Sequence, residues 1–340
     1  MKVVGIERYL PVDHAQCFVD AELPKPNPTG QDLLVQVCAV SINPVDTKVR
    51  KGRGVSADTV ENPVRVLGWD ASGVVVSAGP DVTLFKPGDE VFYSGDITRP
   101  GSYAEFQLVD QRIVGPKPAT LSHAESAALP LTAITAYEAL FDRLGIDRDG
   151  GNTGESILII GAAGGVGSIG VQLAQHAGLT VIGTASRPVT TDWILSLGAD
   201  HVVNHHADIV EQVRALGIEH CDYIAIFNDM RHWDSAVELV TPQGAIVTID
   251  DTNLPMPMDK MKIKAASLHW EFMFARSMHQ TPDMIEQHKL LAWIAARIDA
   301  GLLQTTLADV LTPINAETIK KAHAMIESGS SKGKVVVEQF

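Results

Sequence analysis

Residues 156–167 read Ser-Ile-Leu-Ile-Ile-Gly-Ala-Ala-Gly-Gly-Val-Gly, and this stretch constrains the fold more than any other. A short apolar run, Ile157 to Ile160, enters a glycine-rich turn that opens a helical stretch, Gly165 to Ala177. Val166, Ile169, Gly170, Leu173 and Ala174 are spaced for one buried helix face. Strand, tight turn and helix N-terminus, in that order, put backbone N–H groups and the positive end of a helix dipole where a pyrophosphate can be held. Ala162 to Gly167 fit G-x-G-x-x-G with alanine in the first glycine position. Ala163, Gly164, Gly165, Val166 and Gly167 are therefore the candidate pyrophosphate contacts. A lone G-x-G-x-x-G is a weak signal, so the residues around it decide.

A second apolar strand, Thr180 to Thr184, follows the helix and runs into Ala185-Ser186-Arg187-Pro188. In a dinucleotide-binding unit the residue about 20 positions beyond the glycines meets the adenosine ribose. An acid there accepts from the 2′-OH of NAD and repels a 2′-phosphate. This chain offers the Ser186 hydroxyl and the Arg187 guanidinium instead, and a planar guanidinium donates two parallel charge-assisted hydrogen bonds to phosphate. The expected cofactor is NADP(H).

A chain of 340 residues, 45% of them hydrophobic, is long enough for two domains with sizeable cores. Its net charge of −14, with no basic tract, argues against a nucleic-acid groove, which needs clustered Lys and Arg. No apolar run reaches the roughly 18–20 residues of a membrane span. The start, Met-Lys-Val-Val-Gly-Ile, is too strand-like for a signal peptide. Cys17, Cys38 and Cys221 are odd in number and far apart, which fits no disulfide framework. A cytoplasmic enzyme is the expected class.

From Leu158 onward the pattern alternates strand and helix. Strands are predicted at 157–161, 180–185, 201–204, 222–227 and 244–249, with helices at 165–177, 190–197, 208–216 and 232–240. Repeated βα units of this length imply a doubly wound parallel sheet. Gly178, Gly198, Gly217 and Gly244 punctuate the units. The first half is rich in short β runs and in Pro and Gly turns, among them Gly79-Pro80, Pro87-Gly88 and Pro100-Gly101, which suggests an antiparallel barrel. The last stretch is helical from about Pro282 through Arg297 and finishes as a strand at Val335-Val336-Val337, expected to pack back onto the barrel.

These motifs resemble the medium-chain dehydrogenase/reductase superfamily over nearly the whole chain. Ser41-Ile42-Asn43-Pro44-Val45-Asp46-Thr47, Leu67-Gly68-Trp69-Asp70-Ala71-Ser72-Gly73 and Leu129-Pro130-Leu131-Thr132-Ala133 look like its quinone-reductase branch. Gly95-Asp96-Ile97-Thr98-Arg99-Pro100 and Ser267-Leu268-His269-Trp270-Glu271-Phe272-Met273-Phe274 resemble a bacterial subgroup labelled zinc-type alcohol dehydrogenase-like. The resemblance implies an α/β chain with a GroES-like barrel over 1–127 and 275–340, a Rossmann domain over 128–274, and assembly as homodimers or homotetramers.

The label's zinc is not expected here. Zinc enzymes of this superfamily place a Cys where this chain has Asn43, a His where it has Trp69, and a third ligand near Leu131. Catalytic zinc needs three N, O or S ligands, and residues 88–110 lack the Cys cluster of a structural zinc. His201, His205, His206 and Asp208 form a second, weaker metal candidate, alternatively read as a strand leading to a surface turn; the resemblance instead puts His205 near the adenine edge of the cofactor. Without a metal, a quinone or α,β-unsaturated carbonyl is the favoured hydride acceptor, since it spreads the charge that arrives and a few hydrogen-bond donors can hold it. The alternatives are a zinc-dependent alcohol dehydrogenase-like enzyme and an NADPH-binding sensor or structural protein without significant turnover.

Asn43 is implied to lie beside the nicotinamide ribose, or else is a turn residue before Pro44. Tyr93 is a candidate donor to the substrate oxygen, or a barrel-wall aromatic. Trp69 is either a pocket floor or plain packing. Asp46 and Asp70 are expected in structural pairs, with Lys48 or Arg50 as partners. Thr135 resembles a cofactor-contacting threonine, or bonds back along its helix. Lys334, in Lys332-Gly333-Lys334, resembles a basic tail approaching the cofactor, or is a solvated turn. The aromatic stretch 268–274 covers either a pocket or a subunit edge.

Overall fold

Apolar residues in 33–40 outnumber what one sheet face can bury, and the strand they form is paired on both sides. The structure, a computed structural model, describes residues 1–52, 55–56, 59–252 and 255–340. They divide into two units: Met1–Leu131 with Phe274–Phe340, and Thr132–Met273.

The first unit begins β1 (Lys2–Ile6), β2 (Val19–Glu22), β3 (Asp32–Ser41), α1 (Pro44–Arg50), β4 (Arg65–Val66), β5 (Ala71–Ala78), β6 (Glu90–Tyr93), β7 (Phe106–Asp110), β8 (Val114–Pro116) and α2 (His123–Ala127). Helix α3 (Pro130–Tyr137) leads into the second unit. There the chain runs β9 (Ser156–Ile160), α4 (Gly165–His176), β10 (Thr180–Thr184), α5 (Pro188–Ser196), β11 (His201–Val203), α6 (Ile209–Ala215) and β12 (Cys221–Ile226). It continues through α7 (Trp233–Leu239), β13 (Val240–Thr248), α8 (Asp259–Lys264) and β14 (Ser267–Trp270). The return to the first unit adds α9 (Ala275–Met278), α10 (Glu286–Asp299), β15 (Leu307–Leu311), α11 (Ala316–Glu327) and β16 (Lys334–Glu338).

The first unit carries one sheet in the order β2-β1-β4 and another in the order β15-β16-β3-β5-β6-β8, with β7 also on β3. Strand β3 pairs antiparallel with β5 on one side and with β7 and then β16 on the other. Gly73 makes the β3–β5 pairing possible, because a Cβ there would sit 2.1 Å from the Gln36 carbonyl oxygen. The C-terminal strand joins as expected: Val336 lies opposite Ser41 and Val337 opposite Val40.

In the second unit six parallel strands lie in the order β11-β10-β9-β12-β13-β14. All five residues of β9 are buried, which is why its sequence is apolar without alternation. Leu158, Ile182, Ile224 and Ile246 meet Trp233 and Leu239 in one core, each aliphatic side chain contributing about 1.5–3 kcal/mol by burial. Strand order reverses between β9 and β12, and ligands of such sheets bind outside the carboxyl ends of the strands at that reversal. Strand β13 starts at Val240, but its register on β12 jumps from Val240 to Ala245, so Gly244 closes an unpaired irregularity ahead of the continuous pairing of Ala245–Thr248. There Gln243 adopts φ +67° and a Cβ on Gly244 would approach Asp222 O to 2.7 Å. The close backbone approach leaves no room for a side chain at Gly244, beside a kink in the strand.

Candidate functional site

At the carboxyl end of β9 the chain turns through Gly161, whose φ of +88° suits only glycine. The permissive residue therefore precedes the motif, and Ala162 is tolerated in the first glycine position. The Gly164 N–H closes the turn on Gly161 O at 3.1 Å, and Gly164 is the N-cap of α4. Gly167 packs the helix on the turn, since a Cβ there would lie 2.2 Å from Gly161 O and 2.5 Å from the Ala162 Cα. Ala163, Gly164, Gly165 and Val166 remain partly exposed, while Gly167 is buried. The first-turn N–H groups of a helix have no intrahelical acceptor, so this end is built to receive an anion.

The end of β10 is tied to the same turn: Gly161 N–H donates to Thr184 Oγ1 at 3.0 Å. Ser186 and Arg187 follow directly. Arg187 is exposed at the N-cap of α5, and its backbone is fastened by Thr190, whose hydroxyl donates to Arg187 O at 2.9 Å. His205 lies just past β11, its ring centroid 4.5 Å from His206 and 6.1 Å from His232. Burial, then the neighbouring His206 and His232, lower its pKa, which favours the neutral ring. The Asp208 carboxylate caps α6 by accepting Glu211 N–H at 3.0 Å. Thr135 is buried within α3.

In the first unit the register of β16 on β3 sets Lys334 beside Asn43, and Ile42 N–H donates to Val335 O at 3.1 Å. Asn43 starts α1, with its N–H on Asp46 Oδ2 at 2.8 Å. Its side chain is used elsewhere. Nδ2 donates to Asp70 Oδ2 at 2.8 Å, and Oδ1 accepts from the Lys334 ammonium. Lys334 also donates to Ile42 O at 3.0 Å and to Asp70 Oδ2 at 3.2 Å, while Leu131 N–H donates to Asp70 Oδ1 at 2.8 Å. Tyr103 links Asp46 Oδ2 to His323 Nε2, 3.1 Å from each. Burial pushes the Asp46 carboxyl up to about 7 and raises that of Asp70.

Two expectations change here. Lys334 is neither a tail nor a solvated turn: at 2% exposure its donors are spent inside the protein. Asp70 pairs with Lys334 rather than with Lys48 or Arg50, and Arg50 instead bonds Leu10 O and Glu327. Trp69 is buried, its indole N–H donating to Asp96 O at 3.0 Å and its ring edge-on to Phe274. The Tyr93 hydroxyl, by contrast, is buried with no hydrogen-bond partner among the described residues.

One group was invisible in the sequence. Glu271, directly after β14, and Glu138, in a π-helical turn over Glu138–Arg143, are both buried in the second unit. Arg143 Nε donates to Glu271 Oε2 at 2.8 Å. Burial and then the neighbouring Glu138 push the Glu271 carboxyl up. A carboxyl raised on folding contributes stability that is present below its unfolded pKa and is lost as pH rises through the folded one. Glu271→Gln, which keeps the shape and removes the charge, should therefore flatten the fall in urea midpoint between pH 5 and pH 9. An unchanged slope would show that Glu271 titrates normally. The packing of β14 against the π-helical turn brings the two acids together, so no local signal announces them.

Comparison with known proteins follows this geometry. Residues 29–119 match the alcohol dehydrogenase GroES-like domain, and residues 197–337 match the zinc-binding dehydrogenase family. A zinc-type alcohol dehydrogenase-like protein of Staphylococcus aureus strain Mu50 is 44% identical over 99% of both chains. The tomato 2-methylene-furan-3-one reductase is 29% identical, over 94% of this chain and 74% of its own. Among solved structures, a Rhizobium etli CFN 42 protein assigned to the zinc-dependent alcohol dehydrogenases shares 50% identity with a TM-score of 0.94, covering 100% and 98% of the two chains. Escherichia coli quinone oxidoreductase complexed with NADPH shares the fold, with a TM-score of 0.82, 21% identity and 99% and 100% coverage. A barrel unit and a dinucleotide-type sheet define an oxidoreductase of two domains. The chain belongs to the medium-chain dehydrogenase/reductase superfamily, with the zinc-type alcohol dehydrogenase-like proteins among its relatives.

The zinc in those names meets an unsuitable donor set in this chain. Asn43 Oδ1 is turned to an ammonium, the Trp69 indole nitrogen is a donor only, and Leu131 supplies only an N–H. Asp70 accepts at both oxygens. A dication beside Lys334 would face like charge in a buried site.

Proposed function

We propose that the chain is a zinc-independent, NADP(H)-dependent oxidoreductase that passes hydride to a quinone or an α,β-unsaturated carbonyl. The observation that supports this reading is the buried network of Asn43, Asp70 and Lys334, whose mutual hydrogen bonds engage the oxygens that a metal would need there. The turn at Gly161–Gly167 suits the pyrophosphate, and Ser186 with Arg187 suits the 2′-phosphate. Ala163, Gly164, Gly165 and Val166 offer backbone contacts, His205 an adenine neighbour, and Asn43 and Thr135 the nicotinamide end. Bound NADPH supplies the hydride. The protein's part is to orient the acceptor, exclude water and hold the oxygen where charge collects. The names of the tomato reductase and the NADPH-bound quinone oxidoreductase point the same way.

Tyr93 is the candidate donor to that oxygen. A buried hydroxyl with no protein partner costs folding energy unless a ligand completes it. Tyr93→Phe should therefore leave the urea midpoint at or above that of the parent and lower kcat with NADPH affinity unchanged. Unchanged kcat would remove Tyr93 from the mechanism.

The reading as a whole is tested by NADPH oxidation with phenanthrenequinone and a panel of small enones, alongside metal analysis of protein purified without added zinc. Turnover by metal-free protein is the expected result. About one zinc per chain, lost together with activity on chelation, would replace this reading by the zinc enzyme. Tight NADPH binding without turnover would replace it by a sensor. Assembly as a homodimer or homotetramer belongs to the same proposal. Strand β14 ends its sheet, and Trp270 and Phe272, half-exposed beside that edge, are a surface that a second copy would cover. Among the described residues no helix is long and apolar enough to cross a membrane, and we place the protein in the cytoplasm.

A further inference from the structure

An ammonium has three hydrogens and no lone pair, and Lys334 meets three acceptors: Ile42 O, Asn43 Oδ1 and Asp70 Oδ2. All of these groups are buried, with Asn43 and Asp70 fully so. A carboxylate taken out of water without a partner is costly, and an ammonium at 3.2 Å compensates it. The same ammonium decides how the Asn43 carboxamide sits. Its oxygen must face Lys334, which can only donate, and its nitrogen must face Asp70 Oδ2, which already accepts from Lys334 while Oδ1 accepts from Leu131 N–H. Turning the amide over would set N–H against N–H and oxygen against oxygen. With one Nδ2 hydrogen on Asp70, the amide plane fixes the direction of the other.

We propose that Lys334 is a built-in countercation: it does for Asp70 and Asn43 the electrostatic work of a bound metal, and is a positioning residue that fixes the Asn43 carboxamide for the cofactor. The positioning half rests on Asn43 being a cofactor contact, whereas the countercharge half stands without it. Lys334 touches neither cofactor nor substrate and acts through Asn43.

A double-mutant cycle in the full-length protein tests both halves. Lys334→Met removes the charge at similar volume and should lower the urea midpoint. Adding Asp70→Asn removes the stranded carboxylate and should restore most of that loss. NADPH affinity, followed by protein fluorescence, should stay about tenfold weaker in the double variant, because nothing then orients Asn43. A purely structural ion pair would regain affinity together with stability, and that result overturns the positioning role. Failure of Asp70→Asn to recover the midpoint overturns the countercharge. Asn43→Ala, measured in parallel, separates the two readings: wild-type NADPH affinity in that variant would overturn the cofactor role of Asn43 and the positioning built on it, while midpoint recovery would still establish the countercharge.

Discussion

Arg187→Ala should weaken NADPH binding by about 10- to 100-fold and leave NADH binding nearly unchanged. A charge-assisted hydrogen bond contributes about 1.5–3 kcal/mol, and each 1.4 kcal/mol is a factor of ten. Arg187 is exposed, so the lower end applies at physiological salt, and the difference between the two cofactors should shrink as ionic strength rises. The variant should fold normally. Thr190 fastens the backbone at that position, and its contacts are to Arg187 N and O rather than to the guanidinium. Titrations with both cofactors at two salt concentrations measure the effect. Equal losses for NADPH and NADH would show that Arg187 does not meet the 2′-phosphate.

The second large effect separates two glycines of one turn. Gly164→Ala has room for its methyl, with the nearest atom of the fold, Gly161 O, at 3.5 Å, and its φ of −75° suits any residue. Its fold should survive, while the added methyl stands at the N-terminus of α4 where the pyrophosphate is expected. Gly167→Ala has no such room. Its Cβ would lie 2.2 Å from a backbone oxygen, which cannot rotate away as a side chain can. Helix α4 would have to move off β9. Both variants should lose nucleotide affinity by more than about 100-fold, or nearly 3 kcal/mol. Only Gly167→Ala should also lower the urea midpoint. NADPH binding by Gly164→Ala at the parent's affinity would mean that the pyrophosphate does not cross this turn.

Much of this was legible in the chain. The strand, turn and helix at 156–176 are local, and their residue types follow from burial on both sheet faces and from the steric limits of the turn. The βα alternation was legible for the same reason, and its boundaries agree within a few residues, as expected where helix ends fray. Gly244 marks a break in the strand register, whereas the close approach of Asp222 O to its backbone is visible only in the structure. Alanine stands in the first glycine position at Ala162, and the residue that needs positive φ is the preceding Gly161.

The polar site divides differently. That Asn43, Trp69 and Leu131 cannot assemble a zinc site follows from residue type alone, since an indole nitrogen and a leucine side chain offer a metal no lone pair. Where Lys334 goes does not. It lies almost 300 positions from Asn43, and only the antiparallel pairing of β16 with β3 brings the two together. Lys48 and Arg50 were nearer in sequence to the buried acids and were the natural partners to expect. Glu138 and Glu271 likewise meet through strand order, not through spacing. By itself, then, the sequence determined the strand, glycine turn and helix at 156–176, because that structure is set by local residue types. Tertiary structure alone decided which charge stands beside Asp70 and which acid shares a site with Glu271, because long-range strand register sets those neighbours and leaves no mark on nearby residues.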